Sequence, residues 1–251
     1  MMILLPVAAA VAAAVAVQSA TPPADEGQFG RCTDLVRTDP AAARADAIRW
    51  RIAGGGAAAR QCAGLAYVAE GDFTAAAAEF DAAARLAQAA KDARAASYQA
   101  QAGNAWLAAG DAAKARAALD AALSAGTLSG LQRGEAQLDR ARALVAQGAL
   151  AAARTDIDLA LRNAADDPLA WLLSATLARR MGDMPRAQTD IAEALRRAAD
   201  DAQVQLEAGN IAASNGDEAA TRRAWGEAVR LAPDSPAGRS AAAALGQFAA
   251  K

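Results

Sequence analysis

There is no histidine among the 251 residues of this sequence. Its absence removes Ser-His and Cys-His nucleophile pairs, histidine-ligated zinc and the usual general base near neutral pH. The only cysteines, Cys32 and Cys62, stand 30 positions apart, which is not a metal-ligand spacing. No phosphate-cradling glycine loop, dinucleotide fingerprint or Gly-x-Ser-x-Gly elbow occurs. A non-enzymatic protein with neither metal nor cofactor is the expectation. Aromatic residues are also scarce, at 4 %, although 54 % of the chain is apolar, so the apolar content is mostly alanine. Alanine is the best helix former and buries little area per residue. A core of that kind needs close helix–helix approach with a few large side chains at intervals, which means an all-α protein. Basic charge is not in excess either. The formal charge is −2, the arginines are spread along the chain, and Lys91, Lys114 and Lys251 are the only lysines. A nucleic-acid partner, which calls for a basic face, is not expected.

Long apolar runs are confined to the N-terminus. Ile3 to Val17 is uninterrupted, and Gln18-Ser19-Ala20 and a polar stretch follow. The run is short for a bilayer span, and its small-residue end suits a signal peptidase. No Lys or Arg precedes it. Residues 1–20 are therefore read as a cleaved signal peptide, with an uncleaved membrane anchor as the alternative, and residues 21–28 as a disordered linker. The corresponding locations are the periplasm or the inner-membrane surface. In an oxidising compartment Cys32 and Cys62 can form a disulfide; two buried thiols in a helical interface are the other reading.

What the rest of the sequence contains is a repeat. Gly71-Asp72 recurs as Gly110-Asp111, Gly148-Ala149, Gly182-Asp183 and Gly216-Asp217, at spacings of 39, 38, 34 and 34 residues. Seven positions before each glycine is a small residue: Gly64, Gly103, Ala141, Ala175 and Gly209. Five positions after it is another: Ala76, Ala115, Ala153, Ala187 and Thr221. A large apolar residue follows four later (Phe80, Leu119, Ile157, Ile191, Trp225), and three beyond that is alanine every time. Small residues let two helices approach, large ones fill the gaps, and the glycine ends the first helix.

This pattern resembles the tetratricopeptide repeat, a helix–turn–helix unit of about 34 residues. The resemblance covers residues 57–234 and implies a right-handed α-solenoid of five units, at about 57–95, 96–133, 134–167, 168–201 and 202–234. Ala149 and Thr221 depart from the family's preferences. Extra residues fall at the junctions Leu86–Ala96 and Ser124–Gly134; the first is expected to extend its flanking helices, and Gly126, Gly130 and Gly134 to make the second a loop. Residues 29–56, with a short helix near Cys32 and another opening at Thr38-Asp39-Pro40, read as an N-terminal cap, with Trp50 in the core. Residues 235–251 read as a C-terminal capping helix.

The family implies a concave wall lined by the first helices, holding a peptide or protein segment. The central row maps onto Leu65, Asn104, Arg142, Thr176 and Asn210, and a flanking row includes Val68 and Arg179. Asn104, Arg142, Arg179 and Asn210 are the candidate binding residues. The asparagines offer donor and acceptor to an extended backbone, and the arginines suit an apolar segment bearing an acidic residue. Arginines lying over apolar neighbours would be the plainer explanation. Gln61 and Ala100 do not supply the lysines of the family's carboxylate clamp. The acidic pairs Asp166-Asp167 and Asp200-Asp201 read as helix caps, and Asp156 and Asp158 as a solvated pair. The expected function is a scaffold holding a protein or peptide partner in the cell envelope; a membrane-tethered structural subunit acting through its convex face is the alternative.

Overall fold

The computed structural model describes residues 23–249, and every regular element among them is an α-helix. The order is α1 (Pro23–Thr38), α2 (Pro40–Ile52), α3 (Gly56–Glu70), α4 (Phe73–Ala89), α5 (Ala95–Ala108), α6 (Ala112–Ser124), α7 (Gly130–Ala146), α8 (Leu150–Asn163), α9 (Pro168–Met181), α10 (Met184–Arg197), α11 (Ala202–Ser214), α12 (Glu218–Leu231) and α13 (Pro236–Ala249). Helices α3 to α12 form five helix–turn–helix pairs, stacked so that each helix packs on the next. Odd-numbered helices also meet one another, α1 on α3, α5 on α7, α9 on α11 and α11 on α13, whereas the even-numbered ones make no comparable contact. The odd helices therefore form the inner wall of an α-solenoid and the even ones its outside. The proposed signal peptide or anchor, residues 1–20, lies outside the described residues.

Each turn is built by local chemistry. Gly71 takes a left-handed φ of 80°, where a Cβ would be strained, and closes α3. Asp72 then opens α4, its carboxylate accepting from the Ala75 amide at 3.0 Å. Asp111, Asp183 and Asp217 repeat that cap. Ala149, at the same position before α8, makes no side-chain cap.

Between the paired helices the spacing rule acts as steric necessity. A Cβ on Gly64 would stand 2.5 Å from Phe80 Cε1, so the ring of α4 lies directly on the backbone of α3. Gly103 under Leu119 and Gly209 under Trp225 are equally tight. The other two pairs bury an alanine against an isoleucine, Ala141 with Ile157 and Ala175 with Ile191. Thr221, in place of alanine, is fully buried, and its hydroxyl donates to the Asp217 carbonyl at 2.7 Å.

Several expectations are corrected. Residues 23–28 are not a linker but the start of α1, which runs 16 residues instead of forming a short helix. Phe29, Cys32 and Val36 of α1 join a core cluster with Trp50 and Cys62, and that packing stabilises a helix its own glycines disfavour. Of the two readings of Cys32 and Cys62, the disulfide is the one formed, with the Cα atoms 6.0 Å apart, and it ties α1 to α3. The junction Leu86–Ala96 extends α4 to Ala89 but then breaks, with Lys91 at φ 54° and Asp92 accepting from the Arg94 amide. Chain reversal there lets Ala87 and Tyr98 share one core. Of the three glycines expected to make the second junction a loop, Gly130 opens α7 and Gly134 lies inside it, where a Cβ would crowd Ala164.

Asp156 and Asp158 are not a solvated pair. Asp156 is 4 % exposed and accepts both Nε (2.7 Å) and Nη2 (2.6 Å) of Arg140, which also bonds Asp120 at 2.9 Å. Asp158 pairs with Arg154 and Arg186, and the same network reaches the buried Ser174 and Asp190. Paired this way, the carboxylates tolerate burial and clamp α7, α8, α9 and α10 together.

Candidate functional site

A concave groove of about 960 Å³ runs across the inner wall, lined from four successive odd helices, α3, α5, α7 and α9. Phe80, of the outer helix α4, reaches its floor. Leu65, of the central row, provides aliphatic surface together with Ala100 and Leu138. The lip is more apolar than a solvated surface needs to be. Val68, Leu131 and Leu169 are 39 %, 56 % and 44 % exposed, and they are three of the six large hydrophobic residues exposed among the described residues. Their gathering along one depression distinguishes the groove from the scattered apolar residues of an ordinary surface.

Asn104 and Arg142 line this groove, and both are held by Asp139. Asn104 Nδ2 donates to Asp139 Oδ2 at 2.8 Å, and Arg142 Nη1 donates to Asp139 Oδ1 at 2.9 Å. The carboxylate thus joins α5 to α7 and fixes the orientation of both candidate binding groups. The Arg142 guanidinium remains half-exposed and can still donate outward.

Arg179 and Asn210 do not line this groove. Arg179 makes a two-pronged ion pair with Glu207, at 2.7 and 3.1 Å, and Glu207 is only 6 % exposed. Asn210 donates to the same carboxylate at 3.0 Å, and its own Oδ1 accepts from Trp225 Nε1 at 3.1 Å. The result is a chain of bonds from α9 through α11 to α12 in which the candidate binding groups already have partners inside the protein. Satisfied in this way, they act as an inter-repeat latch.

Sequence reasoning read Asp166-Asp167 only as a helix cap and placed no acid in the groove. Glu135, Asp139, Asp166 and Asp167 all line the groove against a single guanidinium, that of Arg142. Asp139 and Glu207 each stand three positions before a candidate residue on the same helix, Arg142 and Asn210, which is the spacing of helical neighbours. That signal was present in the sequence. Burial holds the Glu135 carboxyl above the usual carboxylate range, reinforced by the charges of Asp167 and Asp139. Asp167 also caps α9, accepting from the Leu169 amide at 2.9 Å. No group of acids, cysteines or histidines that could hold a metal ion occurs among the described residues. Nor is any described helix long and apolar enough to cross a membrane.

No model of a protein family matches this sequence, and no curated protein does. Solved structures do. One is PilF of Pseudomonas aeruginosa, with a TM-score of 0.71 and 17 % identity, covering 88 % of this chain and 97 % of that one. Another is PilW, described as a widely conserved type IV pilus biogenesis factor, with a TM-score of 0.74 and 16 % identity over 88 % of this chain and 99 % of PilW. A third is YrrB, a tetratricopeptide-repeat protein with an unusual peptide-binding site, with a TM-score of 0.53 and 18 % identity over 73 % of this chain and 90 % of YrrB. At these identities the likeness is one of fold, and that fold is the tetratricopeptide-repeat solenoid.

Proposed function

Starting from the tetratricopeptide-repeat fold, we propose that this protein is a non-enzymatic scaffold of the cell envelope that holds a peptide or protein segment in its concave groove. The observation that carries this reading is the groove itself, with exposed Val68, Leu131 and Leu169 around an aliphatic floor and Asn104 and Arg142 oriented at its wall. An extended segment laid there buries apolar side chains while its backbone meets fixed polar groups. The peptide-binding site named for YrrB and the pilus-biogenesis role named for PilW support the interaction and envelope parts of the reading. So does the apolar start of the chain, read as an export signal.

The test is site-specific photocrosslinking in intact cells. A crosslinking amino acid placed at Asn104 in the groove should capture a discrete protein, and one placed at the exposed Thr155 on the outer helix α8 should not. Capture from Thr155 alone would move the function to the convex face. The mature N-terminus, read by mass spectrometry from the same cells, tests export. Cleavage near Ala20 is expected, and an intact Met1 would make the protein a tethered subunit.

A further inference from the structure

The geometry points to a cationic partner for the groove: an apolar segment carrying lysine or arginine, held with its cation among Glu135, Asp166 and Asp167. This rests on the groove being the binding site and adds the chemistry of what enters it. It also reverses the acid-bearing segment that the arginines of the inner wall suggest in sequence. Arg179 is neutralised by Glu207 and lies outside the groove, and Arg142 is neutralised by Asp139. Once those pairs are removed, the unbalanced charge of the groove is negative. Glu135, Asp166 and Asp167 make no ion pair with any cation among the described residues.

Three features combine there. Leu131 and Leu169, the two most exposed of the groove's leucines, are set beside these carboxylates: Leu131 is one helical turn before Glu135 on α7, and Leu169 is two positions after Asp167. A ligand that fits must therefore present aliphatic and cationic groups close together. Glu135 also feels the neighbouring charges of Asp167 and Asp139, so a cation entering the groove relieves repulsion already present. Finally, Leu131, Leu138 and Leu169 line the same depression as the carboxylates, so an entering cation is screened by water less fully than on an open polar surface. The chain's own first 22 residues contain no lysine or arginine side chain.

The experiment uses the full chain and three fluorescently labelled peptides of one length, built on the same leucine–alanine background. One carries lysines, one glutamates and one glutamines at the same positions, and binding is read by anisotropy. The lysine peptide should bind about tenfold or more tighter than the glutamate peptide, and the difference should shrink as salt rises, because exposed charge is screened. In the double variant Glu135→Lys/Asp166→Lys the order of the two peptides should reverse. The milder pair Glu135→Gln/Asp166→Asn should abolish the preference. All four substitutions are at exposed positions, and circular dichroism and melting confirm the fold of each variant. Equal binding of lysine and glutamate peptides, or a lysine preference untouched by both variants, would overturn the cationic assignment while leaving the groove to be judged by crosslinking at Asn104. Binding of none of the three peptides overturns it as well. If crosslinking at Asn104 also captures nothing, the groove reading falls with it.

Discussion

Phe80 and Gly64 form one packing unit, and the other repeats show its alternatives. Removing the ring by Phe80→Ala takes a buried side chain from the middle of the first repeat, where Trp106, Ala77 and Ala105 share its cluster. Unfolding in denaturant should show a loss of about 3–5 kcal/mol, as for other buried phenylalanines. Gly64→Ala fails for the opposite reason: its new Cβ meets the ring at 2.5 Å, and overpacking of this kind costs about 1–3 kcal/mol. The third and fourth repeats solve the same contact with alanine against isoleucine. The double variant Gly64→Ala/Phe80→Ile, which copies Ala141 and Ile157, should therefore be more stable than Gly64→Ala alone. A double-mutant cycle giving simple additivity would show that the two positions do not touch.

Among the elements, α8 is the one second helix of the five repeats that starts without a side-chain cap. Ala149→Asp should supply what Asp72, Asp111, Asp183 and Asp217 supply to their helices. The expected gain is about 1 kcal/mol, seen as a higher denaturation midpoint with an unchanged slope. No gain would mean that the α8 start is held by packing alone. Helix α7 carries Glu135, a carboxyl whose titration burial raises. Because the folded state keeps the Glu135 proton more tightly than the unfolded chain does, its share of stability is fully present below the ordinary carboxylate range. That share is lost as pH rises through the elevated value. Glu135→Gln should therefore make the protein more stable than the parent near pH 7 and bring no comparable gain near pH 4, as measured by urea unfolding at both.

For the whole molecule, contacts run between sequence neighbours and next-neighbour inner helices. Stability is then close to a sum of repeat and interface contributions, and an end that loosens can fray without melting the rest. The bridge between Cys32 and Cys62, 30 residues apart, guards the N-terminal end. A closed loop of that size is worth about 3–4 kcal/mol on the chain-entropy account. Reduction, or Cys32→Ser/Cys62→Ser, should lower the melting of α1 to α3 selectively. Hydrogen exchange should rise there first, while α9 to α12 keep their protection. A uniform rise along the chain would mean that the solenoid unfolds as one unit.

The sequence was enough to determine the architecture, because repetition is a one-dimensional property. The phased glycines, the small-and-large alternation and the aspartate caps all act within a single helix pair, and a helix pair is local in the chain. It also located Asn104 and Arg142 on the groove wall, since a position on the inner helix follows from its phase in the repeat. Only the tertiary structure decided what those side chains do, because their partners come from other helices. Asp139 on α7 reaches Asn104 on α5, and Glu207 on α11 pairs with Arg179 on α9. The extent of α1 was decided the same way, by a core it shares with α2 and α3. The sign of the groove followed from those pairings. A charge counts toward a ligand only when no neighbour has neutralised it, and which charges neighbour one another across a solenoid is fixed by the stacking of the repeats, not by their order in the chain.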